Sequence, residues 1–232
     1  MAREFLKSGD EVVVIARSAG SAEWQTRRWD GVSLGPWAEA IDGADVLINL
    51  AGRSVNCRYT EKHKQEIMAS RIDSTRVLGE ALAKAQRPPK VWLQSSTATI
   101  YSHRFDAPND EATGIIGGNE PDAPKKWGFS VEVARSWEDE CERAATPATR
   151  KVLMRTAMVM DPFAGGIFDT LLTLVKRGLG GAAAGGKQYV SWVHYRDFVN
   201  AVRWLIDRDD LSGAVNIAAP NPLPYNDFMR AL

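Results

Sequence analysis

Asp45-Val46-Leu47-Ile48-Asn49-Leu50-Ala51-Gly52 decides how this chain is read. An aliphatic, β-branched run breaks off in Asn-Leu-Ala-Gly. That is the pattern of a buried parallel strand whose carboxyl end opens onto something. Ligands in open α/β sheets bind just outside the carboxyl ends of strands. A second stretch of the same kind follows, in which Val91-Trp92-Leu93-Gln94 runs into Ser95-Ser96-Thr97-Ala98-Thr99. Small polar residues also begin ordinary loops, so neither ending decides alone. Two such endings together point to a shared cleft.

Outward from these strands, the pattern alternates. Ala2 to Ser8 reads as the tail of a helix stopped by Gly9, and Glu11 to Ala16 as a strand. Trp37 to Ile41 makes a short helix after Pro36. Thr60 caps a long helix whose apolar positions Ile67, Val77, Leu78, Ala81, Leu82 and Ala85 keep helical spacing until Pro88-Pro89. A loop from Ser102 to Gly128, rich in Gly, Pro, Asp and Asn, is long enough for a lid or substrate loop. Val133, Ala134, Trp137 and Cys141 stripe the next helix, and Lys151 to Arg155 is a strand. Ile167 to Arg177 and Arg196 to Ile206 read as helices, as does the chain from Tyr225 onward. Tyr189 to Val193 and Ala214 to Ala218 read as extended. The expectation is an α/β fold: a doubly wound, Rossmann-like parallel sheet with a small C-terminal substrate lobe. Residues 1–160 would form the dinucleotide-binding domain, and 161–232 a mixed segment completing the sheet and part of the lobe.

Composition narrows the partners. The 232 residues are 44% hydrophobic, enough for one sizeable core. Lys+Arg and Asp+Glu both number 29, and no long basic run stands out, which argues against nucleic acid and against a polybasic membrane patch. No apolar run reaches membrane-span length, and the N-terminus has no signal-peptide core. Cys57 and Cys141 are too few and too far apart for a disulfide framework, so a reducing, cytoplasmic setting is expected. His63, His103 and His194 form no ligand cluster with the cysteines, which argues against a metal site. His194 reads as a hydrogen-bonded buried residue at a helix entry, and the tryptophans mostly as core. Trp192 is the one best suited to a substrate wall.

One feature of such folds is missing. A dinucleotide-binding sheet starts with a strand, a glycine-rich turn and a helix that receives pyrophosphate. Here the end of that helix has no strand before it, and no Gly-x-Gly-x-x-Gly precedes Glu11. Gly178-Leu179-Gly180-Gly181 follows a helix, not a strand, and reads as a flexible connection. The expectation is a sequence cut at both ends that binds cofactor weakly by itself.

The order Asn-Leu-Ala-Gly, Ser-Ser-Thr-Ala-Thr-Ile-Tyr, Arg155-Thr156-Ala157-Met158-Val159 and Trp192-Val193-His194-x-x-Asp197 resembles the extended short-chain dehydrogenase/reductase superfamily. Within it, the chain is similar to the atypical epimerase/dehydratase branch of nucleoside-diphosphate-sugar epimerases. Ser70-Arg71-Ile72-x-x-Thr75, Gly178-Leu179-Gly180-Gly181 and Val215-Asn216-x-Ala218-x-Pro220 add to the likeness. The resemblance implies a Rossmann domain, a nicotinamide cofactor and a small-molecule substrate such as a nucleotide sugar. It also implies homodimers through the long helices.

Carried over residue by residue, Ala16 and Arg17 would lie at the adenosine ribose. An acidic residue there binds the 2′-hydroxyl of NAD, whereas an Arg accommodates the 2′-phosphate of NADP. Arg17-Ser18 therefore favours NADP over NAD, unless Arg17 is only a solvated loop charge. Leu50 and Ala51 would pass beneath the cofactor, with Gly52 allowing close approach. Glu66 and Arg71 would face it, or else form an ordinary solvent-facing pair. Ser95 would also touch the cofactor, and Val159 its nicotinamide end. Catalysis in the superfamily pairs a Ser or Thr hydroxyl with Tyr-x-x-x-Lys, in which the Lys lowers the phenol's pKa. Thr97 takes the hydroxyl position. Where the Tyr and Lys belong, the chain reads Trp127-Gly128-Phe129-Ser130-Val131-Glu132-Val133-Ala134, and neither is present. Tyr101, His103, Lys125, Lys126 and Glu132 lie near that gap and read as loop or surface residues. Two functions stay open: an epimerase/dehydratase or oxidoreductase, and a non-catalytic NADP(H)-binding sensor or scaffold.

Overall fold

Some helix ends follow local chemistry and others follow tertiary contacts. The computed structural model describes all residues except 19, 21, 22, 122–124, 164, 165 and 182–184. Helix α1 (Ala2–Lys7) ends at Gly9, and β1 is Val13–Ala16. Strand β2 (Gln25–Arg28) pairs with β1 in parallel. Its Gln-Thr-Arg-Arg sequence has no apolar alternation, so only the pairing with β1 reveals it. Pro36–Ala40 forms a single 3-10 turn, followed by β3 (Val46–Asn49). The Thr60 hydroxyl accepts the His63 N–H and opens α2 (Glu61–Lys84), which buries Ile67, Val77, Leu78, Ala81 and Leu82. Strand β4 is Val91–Thr97.

Helix α3 (Lys125–Arg143) begins earlier than the loop composition suggests and takes in Trp127 and Gly128. Val131 is buried beneath Gly118, a tertiary contact that outweighs the local glycine signal. The chain continues through β5 (Arg150–Thr156), β6 (Met158–Met160) and α4 (Ile167–Lys176). Gly178 is not a flexible connection. At φ +71 it caps α4, its N–H bonding to the Val175 carbonyl while the Leu179 N–H bonds to that of Leu174. Then come β7 (Tyr189–Val190), β8 (Trp192–His194), α5 (Tyr195–Asp207), β9 (Gly213–Ile217), β10 (Leu223–Pro224) and α6 (Tyr225–Ala231). His194 is exposed rather than buried, because Val193 takes the inward position and a strand alternates.

The fold is α/β. Strands β3, β4, β5 and β9 form one sheet in that order, with β3 and β4 parallel and Asn49 opposite Gln94. The pairs β1–β2 and β6–β8 are parallel, and β10–β7 is antiparallel. The chain divides into two compact units. One comprises Met1–Ser95, Val133–Leu153 and Ile206–Gly213; the other comprises Ser96–Glu132, Met154–Leu205 and Ala214–Leu232. The first unit buries the inner stripe of α2 together with Trp92, Leu93, Ala134, Trp137, Cys141 and Val152. In the second, Val190, Phe228 and Met229 form a cluster with Met158, Met160, Leu171 and Trp192 against it.

Candidate functional site

At the carboxyl end of β3, one buried amide shapes the chain. Asn49, 3% exposed, donates from Nδ2 to Gln94 Oε1 (3.0 Å) and to Thr75 Oγ1 (3.3 Å). Trp137 Nε1 on α3 donates to the same Thr75 hydroxyl at 3.1 Å. Two strands and two helices of the first unit therefore meet in one polar knot. The free Asn49 Oδ1 accepts the Ala51 N–H at 3.0 Å and bends the chain just past the strand. Gln94 Nε2 donates to the Ser95 carbonyl at 3.1 Å, so β4's end is held from inside as well. Each of these buried groups would cost free energy if left unpaired, which makes the geometry well determined.

The bend turns Leu50 outward. Its side chain is 49% exposed at the very place where the strand ends, with exposed Gly52 two residues on. A Cβ at Gly52 would lie 3.2 Å from Arg71 Cζ, so an ordinary side chain would crowd the floor here. The segment is locked from below by α2. The Arg53 N–H donates to Ser70 Oγ (2.9 Å), and Arg71 Nη1 donates to the carbonyls of Arg53 (3.2 Å) and Ile67 (3.0 Å). Glu66 does not pair with Arg71; its carboxylate meets Arg53 Nε at 2.9 Å. Arg71 stands over the Trp137 ring, 5.0 Å from its centroid. Burial draws its pKa below the ordinary guanidinium value, with Tyr59 pushing the other way. The result is a backbone shelf with one apolar side chain and fixed cations beneath. Such a shelf suits a ribose or flat ring followed by an anionic linkage.

The other expected residues divide between the units. Half-buried Ala16 ends β1 and is followed by exposed Arg17; with Ser95 they belong to the first unit. Thr97 and Val159, both half-buried, belong to the second. The Thr97 hydroxyl bonds to Thr99 Oγ1 (3.0 Å) and accepts the Thr99 N–H (3.2 Å), capping a short 3-10 turn. Trp192 is half-buried, and its Nε1 donates to the Asn221 carbonyl at 3.3 Å.

Tyr101 is not a loop or surface residue. It is 6% exposed; its hydroxyl donates to Asn216 Oδ1 (2.9 Å) and accepts from Arg155 Nη1 (3.0 Å). Asn216 also donates to the Asn109 carbonyl, and its N–H bonds to Glu111 Oε1. The loop after Tyr101 is thus tied down at several points. His103, Lys126 and Glu132 are exposed, and the His103 ring packs edge-on against Phe105 at 4.7 Å. Sequence reasoning missed Arg53, Thr75, Gln94 and Trp137 as shapers of the shelf. Only the position of Arg53 beside Gly52 hints at it. An open groove of about 630 Å³ lined by Glu142, Thr149, Lys151 and Gly213 lies at the start of β5, away from both strand ends, and holds none of these residues.

Comparison with known proteins gives the family. The sequence profile of the NAD dependent epimerase/dehydratase family matches residues 1–218. The chain is 28% identical over 229 residues to the epimerase family protein YfhF of Bacillus subtilis, covering 97% of this chain and 72% of that protein. It is similar in structure to human epimerase family protein SDR39U1 (isoform 2), solved with NADPH, at TM-score 0.81 and 26% identity, covering 98% and 72% of the two chains. A nucleoside-diphosphate sugar epimerase from Corynebacterium glutamicum aligns at TM-score 0.78 and 26% identity, over 99% of this chain and 45% of that one. The chain belongs to the NAD dependent epimerase/dehydratase family. Its described helices include none long and apolar enough to cross a membrane.

Proposed function

We propose that this protein is an NADP(H)-dependent epimerase, dehydratase or oxidoreductase of the short-chain dehydrogenase type acting on a small carbinol substrate, with a nucleotide sugar as the leading class. The observation that carries the reading is the shelf at the end of β3, where Asn49 turns an exposed Leu50 and a crowded Gly52 toward solvent. The NADPH in human SDR39U1 and the exposed Arg17 just past β1, which meets no carboxylate among the described residues, support the phosphorylated cofactor. A bound nicotinamide supplies a reversible hydride acceptor. Leu50, Ala51 and Gly52 would carry its ribose, Ser95 would touch it, and Arg71 and Glu66 would fix the shelf. Thr97 would turn its hydroxyl from Thr99 to the substrate oxygen and polarise it. The setting is cytoplasmic and the assembly a homodimer in this reading.

The rival reading, a non-catalytic NADP(H) sensor or scaffold, has one observation in its favour. Phe129 stands near the usual tyrosine position, and Tyr101, the nearest phenol in sequence, is shut between Asn216 and Arg155. Incubation with NADP and a panel of nucleotide sugars separates the two. Turnover that disappears in Thr97→Ala supports the enzyme; dinucleotide binding with no turnover across the panel supports the sensor.

A further inference from the structure

We propose that Phe105 and Tyr189, with His103 beside them, form a stacking platform for the nucleobase of the substrate, which selects nucleotide-linked sugars over sugar phosphates. The inference rests on the nucleotide-sugar reading above and adds a subsite to it. All three residues belong to the second unit, as does Thr97. The His103 ring stands at 90° to that of Phe105, with centroids 4.7 Å apart, and the Phe105 ring lies 6.4 Å from that of Tyr189 at 54°. Large aromatic rings gain most by leaving water, yet these stay in it. Phe105 is 62% exposed and Tyr189 48%, and His103 is exposed as well.

Local structure turns the rings outward and holds them there. On β7, Val190 takes the inward position in the cluster with Phe228 and Met229, so Tyr189 faces the other way. The backbone of Tyr189 is fixed, because it pairs with Pro224 and the Tyr225 N–H donates to the Gln188 carbonyl at 2.8 Å. Phe105 is framed by an ion pair in which Arg104 Nε and Nη2 donate to the two carboxylate oxygens of Asp106, at 2.9 and 2.6 Å. The chain on either side is tied down as well. The Ser102 N–H donates to the Ile115 carbonyl at 2.7 Å, and Asn109 Nδ2 donates to the Ser102 carbonyl at 3.0 Å. A ligand therefore meets rings already in place, and binding has little freedom left to remove.

The chemistry of the patch selects the ligand. Aromatic side chains stack flat heterocycles, and base–aromatic stacking needs no hydrogen-bond match, so different bases are accepted alike. The charges of Arg104 and Asp106 cancel, which leaves the platform suited to the base and not to a phosphate. Three side chains fall far short of the about 20–30 residues a side of a stable protein interface. Position fits the proposed reaction too. His103 and Phe105 follow the short 3-10 turn that Thr97 caps, and Tyr189 lies on the strand before Trp192. A substrate whose carbinol meets Thr97 would lay its far end, the base, along this unit.

The test is calorimetric titration of the NADPH-saturated protein with UDP, GDP and the base-free ribose 5-phosphate. Phe105→Ala is expected to weaken UDP and GDP by about tenfold, and Tyr189→Ala by about fivefold, while ribose 5-phosphate stays within about twofold. Phe105→Tyr, which keeps a ring, should bind like the wild type. Phe105→Leu, which keeps apolar bulk without a ring, should bind like Phe105→Ala. UDP and GDP affinities unchanged in both alanine variants, or ribose 5-phosphate weakened as much as the nucleotides, overturn the platform and leave the nucleotide-sugar reading standing. A wild-type protein that binds neither UDP nor GDP overturns both.

Discussion

Asn49 and Asn216 are both strand asparagines whose carboxamides join distant parts of the chain, yet their surroundings do opposite things. Around Asn49, the partners Gln94, Thr75 and Trp137 lie on the inner side, and the chain beyond the amide is pushed out, with Leu50 half exposed. Around Asn216, Tyr101 and Asn109 bond the carboxamide, Glu111 accepts the backbone N–H, and the Tyr101 hydroxyl is held inside the network. The first network builds a surface, and the second consumes one. A polar side chain's role therefore follows from where its unsatisfied neighbours are left, not from its type.

The largest effect should come from Asn49→Leu, which keeps the volume and removes the amide. Ala51 N–H and Gln94 Oε1 lose their partner, costing roughly 2–5 kcal/mol in urea-unfolding free energy. NADPH binding should vanish with it, and a stable Asn49→Leu protein that still binds would break the contrast. Tyr101→Phe removes one hydroxyl from the second network and should cost about 1–2 kcal/mol. It should leave NADPH affinity and any turnover intact; loss of turnover at full stability would make Tyr101 the missing proton donor.

A titration sharpens the picture of the first unit. Burial pushes the Cys141 thiol up to about 12; Lys151 opposes the shift, and Glu142 and Glu138 assist it. The folded thiol stays protonated where the unfolded one ionises. Its stabilisation is complete below pH about 9 and is lost as pH rises toward about 12. The slope reaches at most about 1.4 kcal/mol per pH unit, and Cys141→Ala should flatten it in unfolding curves measured across that window. The smallest effect belongs to Gly52→Ala. The new methyl meets the flexible end of Arg71, so stability should move by about 0.5 kcal/mol or less. NADPH affinity should still fall several-fold on titration, because the methyl occupies the shelf; unchanged affinity would show that the cofactor does not approach there.

Much of this was legible in the residues. Strands with apolar runs, such as β3 and β4, and helices with capped starts, such as α2 behind Thr60, carry their signals locally. The endings Asn-Leu-Ala-Gly and Ser-Ser-Thr are local in the same way. Strand β2 was hidden because Gln-Thr-Arg-Arg has no inward face of its own, and it is a strand only because β1 lies beside it. The early start of α3 and the burial of Tyr101 likewise depend on contacts far away in sequence, from Gly118 to Val131 and from Tyr101 to Asn216.

By itself the sequence determined the α/β class, the family likeness and where β3 and β4 run, because periodicity, caps and breakers act over a few residues. Only the tertiary structure decided which side chains shape those ends. Asn49 finds Thr75 26 residues away and Gln94 45 residues away, and Tyr101 finds Asn216 115 residues away. Hydrogen bonds across such separations depend on how the elements pack, which no local window of sequence contains.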